Sequence, residues 1–344
     1  MIGIIGASGK IGAEIVCELK KLAPDISLKC GYHTRPGTNG DLWEQVDVRE
    51  RDSIASFMEG CRLVINAAGP SDQLSELVMQ AALESKVSLI DVGHSDCYTK
   101  AGTLPDDQKI VYACGAVPGL IGFIPRRLAE EFDRIYSMTV NIGLSEMLTM
   151  TAARDLVTAS ELPDGKTAGK MAATERVPMI GDAVYRYQFT DAESRAIDEM
   201  LHVRSSSWYM VRDTDDYEKL FARTYKDKEE MAETLCRMYR ISMTGREEYL
   251  KFVIEMEGMK DDRPKTLSAY LYGSSGSVVS GRTAASAALA VLNGAVTETK
   301  PVRLALTENW KEIMRYVEQT EAFRLFEVYP YGLSAMAEEE SGEL

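Results

Sequence analysis

The pattern of apolar and polar positions divides the chain into two textures. Over residues 1–122, short apolar runs alternate with stretches of helical spacing. Ile2–Ile5 is predicted as a strand, after which Ile11, Ile15, Leu19 and Leu22 recur every three or four positions, the period of a helix with one buried face. An extended Ile26–Tyr32, a turn at Arg35-Pro36-Gly37 and a second short run at Val46–Val48 follow. Arg62–Ala67 predicts a buried strand. It leads into a helix that Ser71 or Asp72 can cap and whose inner face carries Leu74, Leu77, Val78 and Ala81. Val87–Val92 and Lys109–Cys114 are two further strands. Continuous apolar strands alternating with helices predict a parallel sheet with helices on both faces.

After Pro125 the texture changes. Ser137–Ile142 is extended, Arg154–Val157 falls in a helix, and residues 176–215 alternate as strands do, as in Ala183–Phe189. Residues 226–243 are helical, and Tyr249–Glu257 with Leu267–Tyr272 form a strand pair. Gly281–Leu292 is an alanine-rich helix stopped by Asn293-Gly294, and residues 308–317 form another. The expectation is an α/β protein: an N-terminal Rossmann doubly wound parallel sheet with a second α+β domain built on an antiparallel sheet. The first domain spans 1–122 and is completed by C-terminal helices from about 281–334. The second spans 123–280, and the glutamate-rich 335–344 is a disordered acidic tail.

Composition narrows the function classes. The 344 residues carry 39 Lys and Arg against 53 Asp and Glu, a net charge of −14 spread over both parts. No basic face is available for a phosphate backbone or an anionic membrane, so neither nucleic acid nor membrane is an expected partner. Six scattered cysteines (17, 30, 61, 97, 114 and 236) and three histidines offer no ligand set for a metal, and reduced thiols suit a cytoplasmic protein. The chain opens directly on a strand, with no basic leader, and no apolar run approaches the roughly 20 residues of a membrane span.

The chemistry begins at Gly6-Ala7-Ser8-Gly9-Lys10-Ile11-Gly12, between the first strand and the first helix. The three glycines fit a dinucleotide fingerprint: one for the tight turn, one for close approach of backbone to a pyrophosphate, one for helix–sheet packing. The second strand ends in Gly31-Tyr32-His33-Thr34-Arg35, without the acid that binds ribose hydroxyls in NAD enzymes. Arg35 can pair with a 2′-phosphate and Thr34 can add a hydrogen bond, so NADP(H) is expected over NAD(H). No tyrosine is followed by lysine four residues later, which removes the usual chemistry of short-chain reductases.

Three further strand ends carry Val64-Ile65-Asn66-Ala67-Ala68-Gly69-Pro70, Leu89-Ile90-Asp91-Val92-Gly93-His94 and Cys114-Gly115-Ala116-Val117-Pro118-Gly119-Leu120. In this order, after the glycine loop, they resemble the saccharopine dehydrogenase-like reductases. The resemblance covers residues 1–125 and, more loosely, the layout beyond. It implies hydride transfer to or from a C=N or C=O bond of a small amino- or keto-acid-type substrate. It also places Ala68, Gly69 and Pro70 with Val117, Pro118 and Gly119 beside the nicotinamide.

Such a reaction needs a proton donor near the heteroatom. Asp91, His94 and Tyr98 are the catalytic candidates, all at or just beyond one strand's carboxyl end. His94 is the natural donor near neutral pH, and Asp91 either donates or orients the imidazole. Substrate carboxylates need cations, for which Arg154, and after it Lys166, Lys170 and Arg204, are available. Cys97 and Cys114 read as structural thiols, lacking an adjacent base. The expected partners are a small-molecule substrate and a second copy in a homodimer. The alternative function is a non-catalytic NADP(H)-binding redox sensor, which needs the nucleotide domain but no placed acid.

Overall fold

The computed structural model describes residues 1–38, 42–159 and 171–341. They form two compact units: Met1–Ile121 with Ser277–Ala322, and Gly122–Gly276 with Phe323–Leu344.

The first unit is built on a seven-stranded parallel sheet. Its elements are β1 (Ile2–Ile5), α1 (Lys10–Leu22), β2 (Leu28–Tyr32), β3 (Leu42–Gln45), α2 (Arg51–Met58), β4 (Leu63–Asn66), α3 (Ser71–Ser85), β5 (Ser88–Asp91) and β6 (Ile110–Tyr112). The strand order β3-β2-β1-β4-β5-β6 reverses direction between β1 and β4, which is where doubly wound sheets bind ligands. Sheet residues Ile4, Leu63, Val64, Ile65, Leu89 and Ile90 are wholly inaccessible, as a sheet covered on both faces requires. Ile15 and Leu19 of α1 are equally buried, and Lys20 and Lys21 complement the negative end of its dipole.

Two local expectations are corrected here. The third strand lies at Leu42–Gln45, and Val46–Val48 is the turn after it, with Val46 and Val48 buried as plugs rather than as strand residues. Neither Ser71 nor Asp72 caps α3. Pro70 occupies the cap position, and both residues stand in the first turn, where the Asp72 carboxylate suits the dipole.

α4 (Leu120–Ala129) carries the chain into the second unit, whose sheet has the order β14-β12-β11-β7-β10-β9-β8. Its elements are β7 (Arg134–Ser145), α5 (Met150–Ala159), β8 (Met171–Val177), β9 (Gly181–Gln188), α6 (Ala192–Met200), β10 (Ser205–Arg212), α7 (Asp216–Phe221), α8 (Lys228–Ser242), β11 (Tyr249–Lys260) and β12 (Arg263–Gly273). All neighbours are antiparallel except β7 and β10, which run parallel. Helix α6 interrupts what the alternation at 176–215 suggests is a run of strands. An Asp191–Ser194 capping box starts it, and Ile197 anchors it.

The chain then returns to the first unit through α9 (Gly276–Leu292), the short β13 (Val302–Arg303) and α10 (Trp310–Gln319), with β13 adding a seventh parallel strand beside β6. Ala284, Ala285, Ala287, Ala288 and Ala290 of α9 are inaccessible. A Cβ on Gly281 would lie 2.7 Å from Glu14 Cβ and 2.9 Å from Ile11 O, so α9 rests directly on α1. Next to this contact Arg282 Nε lies 2.7 Å from Glu14 Oε1 and 3.5 Å from Glu18 Oε2.

The return stops at Ala322, short of the expected residue 334. β14 (Leu325–Tyr329) pairs with β12 instead, in the second unit. Nor is the C-terminal segment a free tail over its described part: α11 (Leu333–Ser341) buries Met336 completely against Val253 and Tyr270 of the second sheet. The glutamates mislead because they follow, and so obscure, the apolar Leu333 and Met336 that hold the helix to the sheet.

Candidate functional site

The glycine loop has the geometry its sequence requires. Gly6 takes φ +76°, and a Cβ there would lie 2.9 Å from both Ala67 C and Ala68 N. A Cβ on Gly12 would collide with Gly6 O, so only glycine lets α1 start this close to the turn. Ala7 N donates to Gly31 O at 2.9 Å and ties the loop to β2. Gly9 is the N-cap and brings no side-chain acceptor, and the first turn holds no acid. The positive end of α1 is thus left to a ligand's negative charge. Ser8, Lys10 and Ile11 complete this loop and first turn. The Arg35-Pro36-Gly37 turn lies alongside: a Cβ on Gly37 would be 3.7 Å from Ser8 Cα. Thr34 and Arg35 are both exposed, and Thr34 Oγ1 is 3.3 Å from His33 Nδ1.

The Ala68-Gly69-Pro70 segment meets the glycine loop through the Gly6 contact, and Asn66 Oδ1 fixes it by accepting from Ala68 N at 3.1 Å. The Val117-Pro118-Gly119 loop closes on itself, Gly115 N donating to Pro118 O at 3.1 Å with Gly119 at φ +124°. Both segments contain cis peptides, at Gly69–Pro70 and Val117–Pro118. Ser280 of α9, a residue the sequence reading missed, accepts from Ala116 N at 3.0 Å and pins the second loop. Its signal is invisible in one dimension, since 164 residues separate the partners.

A small cleft of about 130 Å³ opens beside Gly6. Ile5, Val46, Val48, Ala68, Gly69 and Leu74 line it with His33, Asp47 and Arg49. On the same scale a cavity of about 150 Å³ holds one benzene, so this space suits a single flat ring. His33, Asp47 and Arg49 were not singled out from sequence. Asp47 lies on the turn after β3, and the parallel pairing of β3 with β2 brings it beside His33, Nε2 to Oδ2 at 3.5 Å. The Arg49 N–H, with help from His33, holds the Asp47 carboxyl below the usual range.

The catalytic candidates are separated by their surroundings. Asp91 is inaccessible: its carboxylate accepts from Gly93 N at 2.7 Å and from the Tyr98 hydroxyl. It is sealed from solvent and forms no hydrogen bond or ion pair with the His94 ring, which goes against both roles expected of it. Burial pushes the Asp91 carboxyl up, although Tyr98, Ser75, Asn66 and Gly93 all favour its charged form. Ser75 Oγ and Asn66 Nδ2 stand near it without completing hydrogen bonds of normal geometry. Tyr98 is also buried, and desolvation together with Asp91 raises its phenol well above normal. It stacks on Tyr112 with centroids 4.5 Å apart, and Arg303 lies 5.0 Å over Tyr112. This hydroxyl is no donor to a ligand. His94 alone is exposed, its carbonyl accepting from Ser71 Oγ at 3.4 Å.

In the second unit Arg154 is held by Glu229 through two hydrogen bonds of 2.8 and 2.5 Å, both side chains partly exposed. That bidentate pair already occupies the guanidinium expected to take a substrate carboxylate. Lys166 and Lys170 lie outside the described residues, and Arg204 is exposed. Burial pushes the Cys97 thiol up, away from thiolate character. Among the described residues there is no metal-holding cluster of His, Cys, Asp and Glu, and no helix is long and apolar enough to cross a membrane.

No protein-family model matches the chain, and no curated protein is significantly similar to it. Among solved structures, the apo saccharopine dehydrogenase (L-Glu forming) of Saccharomyces cerevisiae superposes over 95% of this chain and 99% of that one, with a TM-score of 0.68 at 14% identity. The chain therefore has a saccharopine dehydrogenase-like fold. The uronate dehydrogenase of Agrobacterium tumefaciens, solved with NAD, matches over 26% of this chain and 39% of that one, with TM-score 0.23 and 15% identity. That partial overlap bears no weight here.

Proposed function

We infer that the protein is an NADP(H)-dependent oxidoreductase of the saccharopine dehydrogenase-like type, moving a hydride to or from a C=N or C=O bond of a small amino- or keto-acid-type substrate. The observation that carries this reading is the loop from Gly6 to Gly12. Glycine is sterically required at 6 and 12, the helix end has no side-chain cap, and the loop sits at the switch point of the parallel sheet. When bound, the dinucleotide supplies or takes the hydride. The chain's part is to hold the pyrophosphate on the first-turn amides of α1 and the base in the ring-sized cleft. Ala68-Gly69-Pro70 and the Ser280-pinned Val117-Pro118-Gly119 flank the nicotinamide. Arg35, on the turn beside Ser8, pairs with a 2′-phosphate.

His94 is the proton donor in this reading. The buried Asp91 and Tyr98 act through it only indirectly, by fixing the strand end that presents it. A second reading, an NADP(H) sensor without catalysis, draws on that same burial, which removes two of the three donors named from sequence. One experiment addresses both. NADPH absorbance is followed across paired keto acids and amines, and binding of NADPH and NADH is titrated in parallel. Arg35→Ala is expected to weaken NADPH by about 1.5–3 kcal/mol, the scale of a hydrogen bond to a charged group, and to leave NADH unchanged. His94→Ala is expected to lower turnover by a factor of about 10²–10⁴ with NADPH affinity intact. Tight NADPH binding with no turnover on any pair favours the sensor; a wild-type preference for NADH defeats the NADP(H) assignment.

A further inference from the structure

The ring-sized cleft has an apolar floor and a polar rim that carries one guanidinium. Ile5, Val46, Val48, Leu74 and the backbone at Gly6 and Gly69 form the floor. His33, Asp47 and Arg49 form the rim. Asp47 has partners on both sides: Oδ1 accepts from Arg49 N at 3.0 Å, and Oδ2 lies 3.5 Å from His33 Nε2. The other imidazole nitrogen is 3.3 Å from Thr34 Oγ1, so the ring is held from both edges. The Arg49 guanidinium is in a different position. Among the described residues its hydrogen-bond partner is the neutral Gln73 Oε1, at 3.5 Å, the limit of such a bond. Arg35, two residues along the chain from His33, is exposed and forms no ion pair among the described residues. Arg49 thus brings to the cleft a guanidinium whose charge acts on Asp47 but whose own hydrogen bond is weak, and Arg35 adds an exposed cation two residues beyond the rim residue His33.

We propose that Arg49, on the turn after β3, is a second specificity-determining residue of this site. With Arg35 it clasps a phosphate ester on the 2′-oxygen of an adenosine nucleotide, and the His33–Asp47 pair forms the fixed wall between them. The inference rests on the proposed dinucleotide site and adds to it. It moves the selectivity from the β2 end alone, where the sequence places it, to a clamp spanning two strands. An arginine fork is suited to the task, since it offers paired donors to phosphate oxygens and keeps its charge at every working pH. The competing chemistry is that Asp47 accepts hydrogen bonds from an unsubstituted ribose and so favours a nucleotide without the 2′-phosphate.

The test uses fragments that carry only this end of the ligand. Binding of adenosine 2′,5′-bisphosphate and of adenosine 5′-monophosphate to the full chain is measured by calorimetry at fixed ionic strength. The proteins are wild type, Arg49→Gln and Arg35→Gln, with melting curves confirming that each variant folds. Wild type is expected to prefer the bisphosphate by at least about tenfold. Arg49→Gln should reduce that preference by about tenfold while changing monophosphate affinity less than about twofold. A wild-type preference for the monophosphate overturns the proposal in favour of ribose recognition by Asp47. An unchanged preference in Arg49→Gln, or equal loss of both fragments, also overturns it and leaves the dinucleotide reading intact. Wild-type protein that binds neither fragment, nor NADPH or NADH, overturns the dinucleotide reading itself.

Discussion

Replacing Tyr98 by Phe isolates one hydroxyl and measures what the Asp91 cluster contributes. The ring and its stacking on Tyr112 at 4.5 Å remain, so the loss reports the hydrogen bond to the buried carboxylate. A hydrogen bond to a charged group contributes about 1.5–3 kcal/mol. For a unit of this size each kcal/mol moves the melting point by roughly 2–4 °C, so Tyr98→Phe should melt about 3–12 °C lower. The loss should also depend on pH. Burial raises the folded Asp91 carboxyl above its unfolded value near 3.8, with Tyr98 acting in the opposite sense. A carboxyl raised on folding contributes stability that is present below the unfolded value and lost as pH rises through the folded one. Removing Tyr98 raises the folded value further and extends that loss to higher pH. The destabilisation should therefore be larger at pH 8 than at pH 5, and it should lose its pH dependence when Asp91→Asn is added. Thermal melts by circular dichroism at both pH values, on wild type, Tyr98→Phe, Asp91→Asn and the double variant, provide the measurement. A shift under about 1 °C, or one equal at the two pH values, would refute the picture of Tyr98 sustaining a buried charge.

Two further outcomes follow from the glycine loop and the α9 contact. Gly12→Ala puts a methyl group into Gly6 O, so α1 must shift; NADPH affinity should fall at least tenfold in a fluorescence titration, whereas Gly60→Ala, whose added Cβ meets nothing within 4 Å, should leave it unchanged. Arg282→Ala removes the cation shared by Glu14, Glu18 and the carbonyls of Thr320 and Glu321. The pair is part-buried, so denaturant unfolding should show a loss of about 2 kcal/mol, between an exposed pair and a buried one; a loss below about 1 kcal/mol would mean that α9 is held by its alanine face alone.

The first unit was the more legible in sequence because its decisive features are local. Ile2–Ile5, the glycine loop and the spaced Ile15 and Leu19 fall within twenty residues, and each follows from short-range sterics or from a period. The same holds for the strand before Ala68 and for α5, β11 and β12. Elsewhere local pattern led astray. Val46 and Val48 have the alternation of a strand but plug a turn, and the acidic C-terminal segment conceals the buried Met336.

The site divides along the same line. Glycine at 6 and 12 is dictated by backbone geometry, so sequence alone determined a tight glycine turn at a helix start. Which side chains surround it was decided only by the tertiary structure. Pairing of β2 with β3 sets Asp47 and Arg49 beside His33, and the return of α9 brings Ser280 to Ala116. Asp91 and His94 are three residues apart in one strand-end phrase, yet one is sealed and the other open. Burial is a property of everything packed around a residue, and a strand end turns successive side chains into different surroundings. Chemical type was therefore readable along the chain; accessibility, which separates a donor from a structural anchor, existed only once the chain had folded.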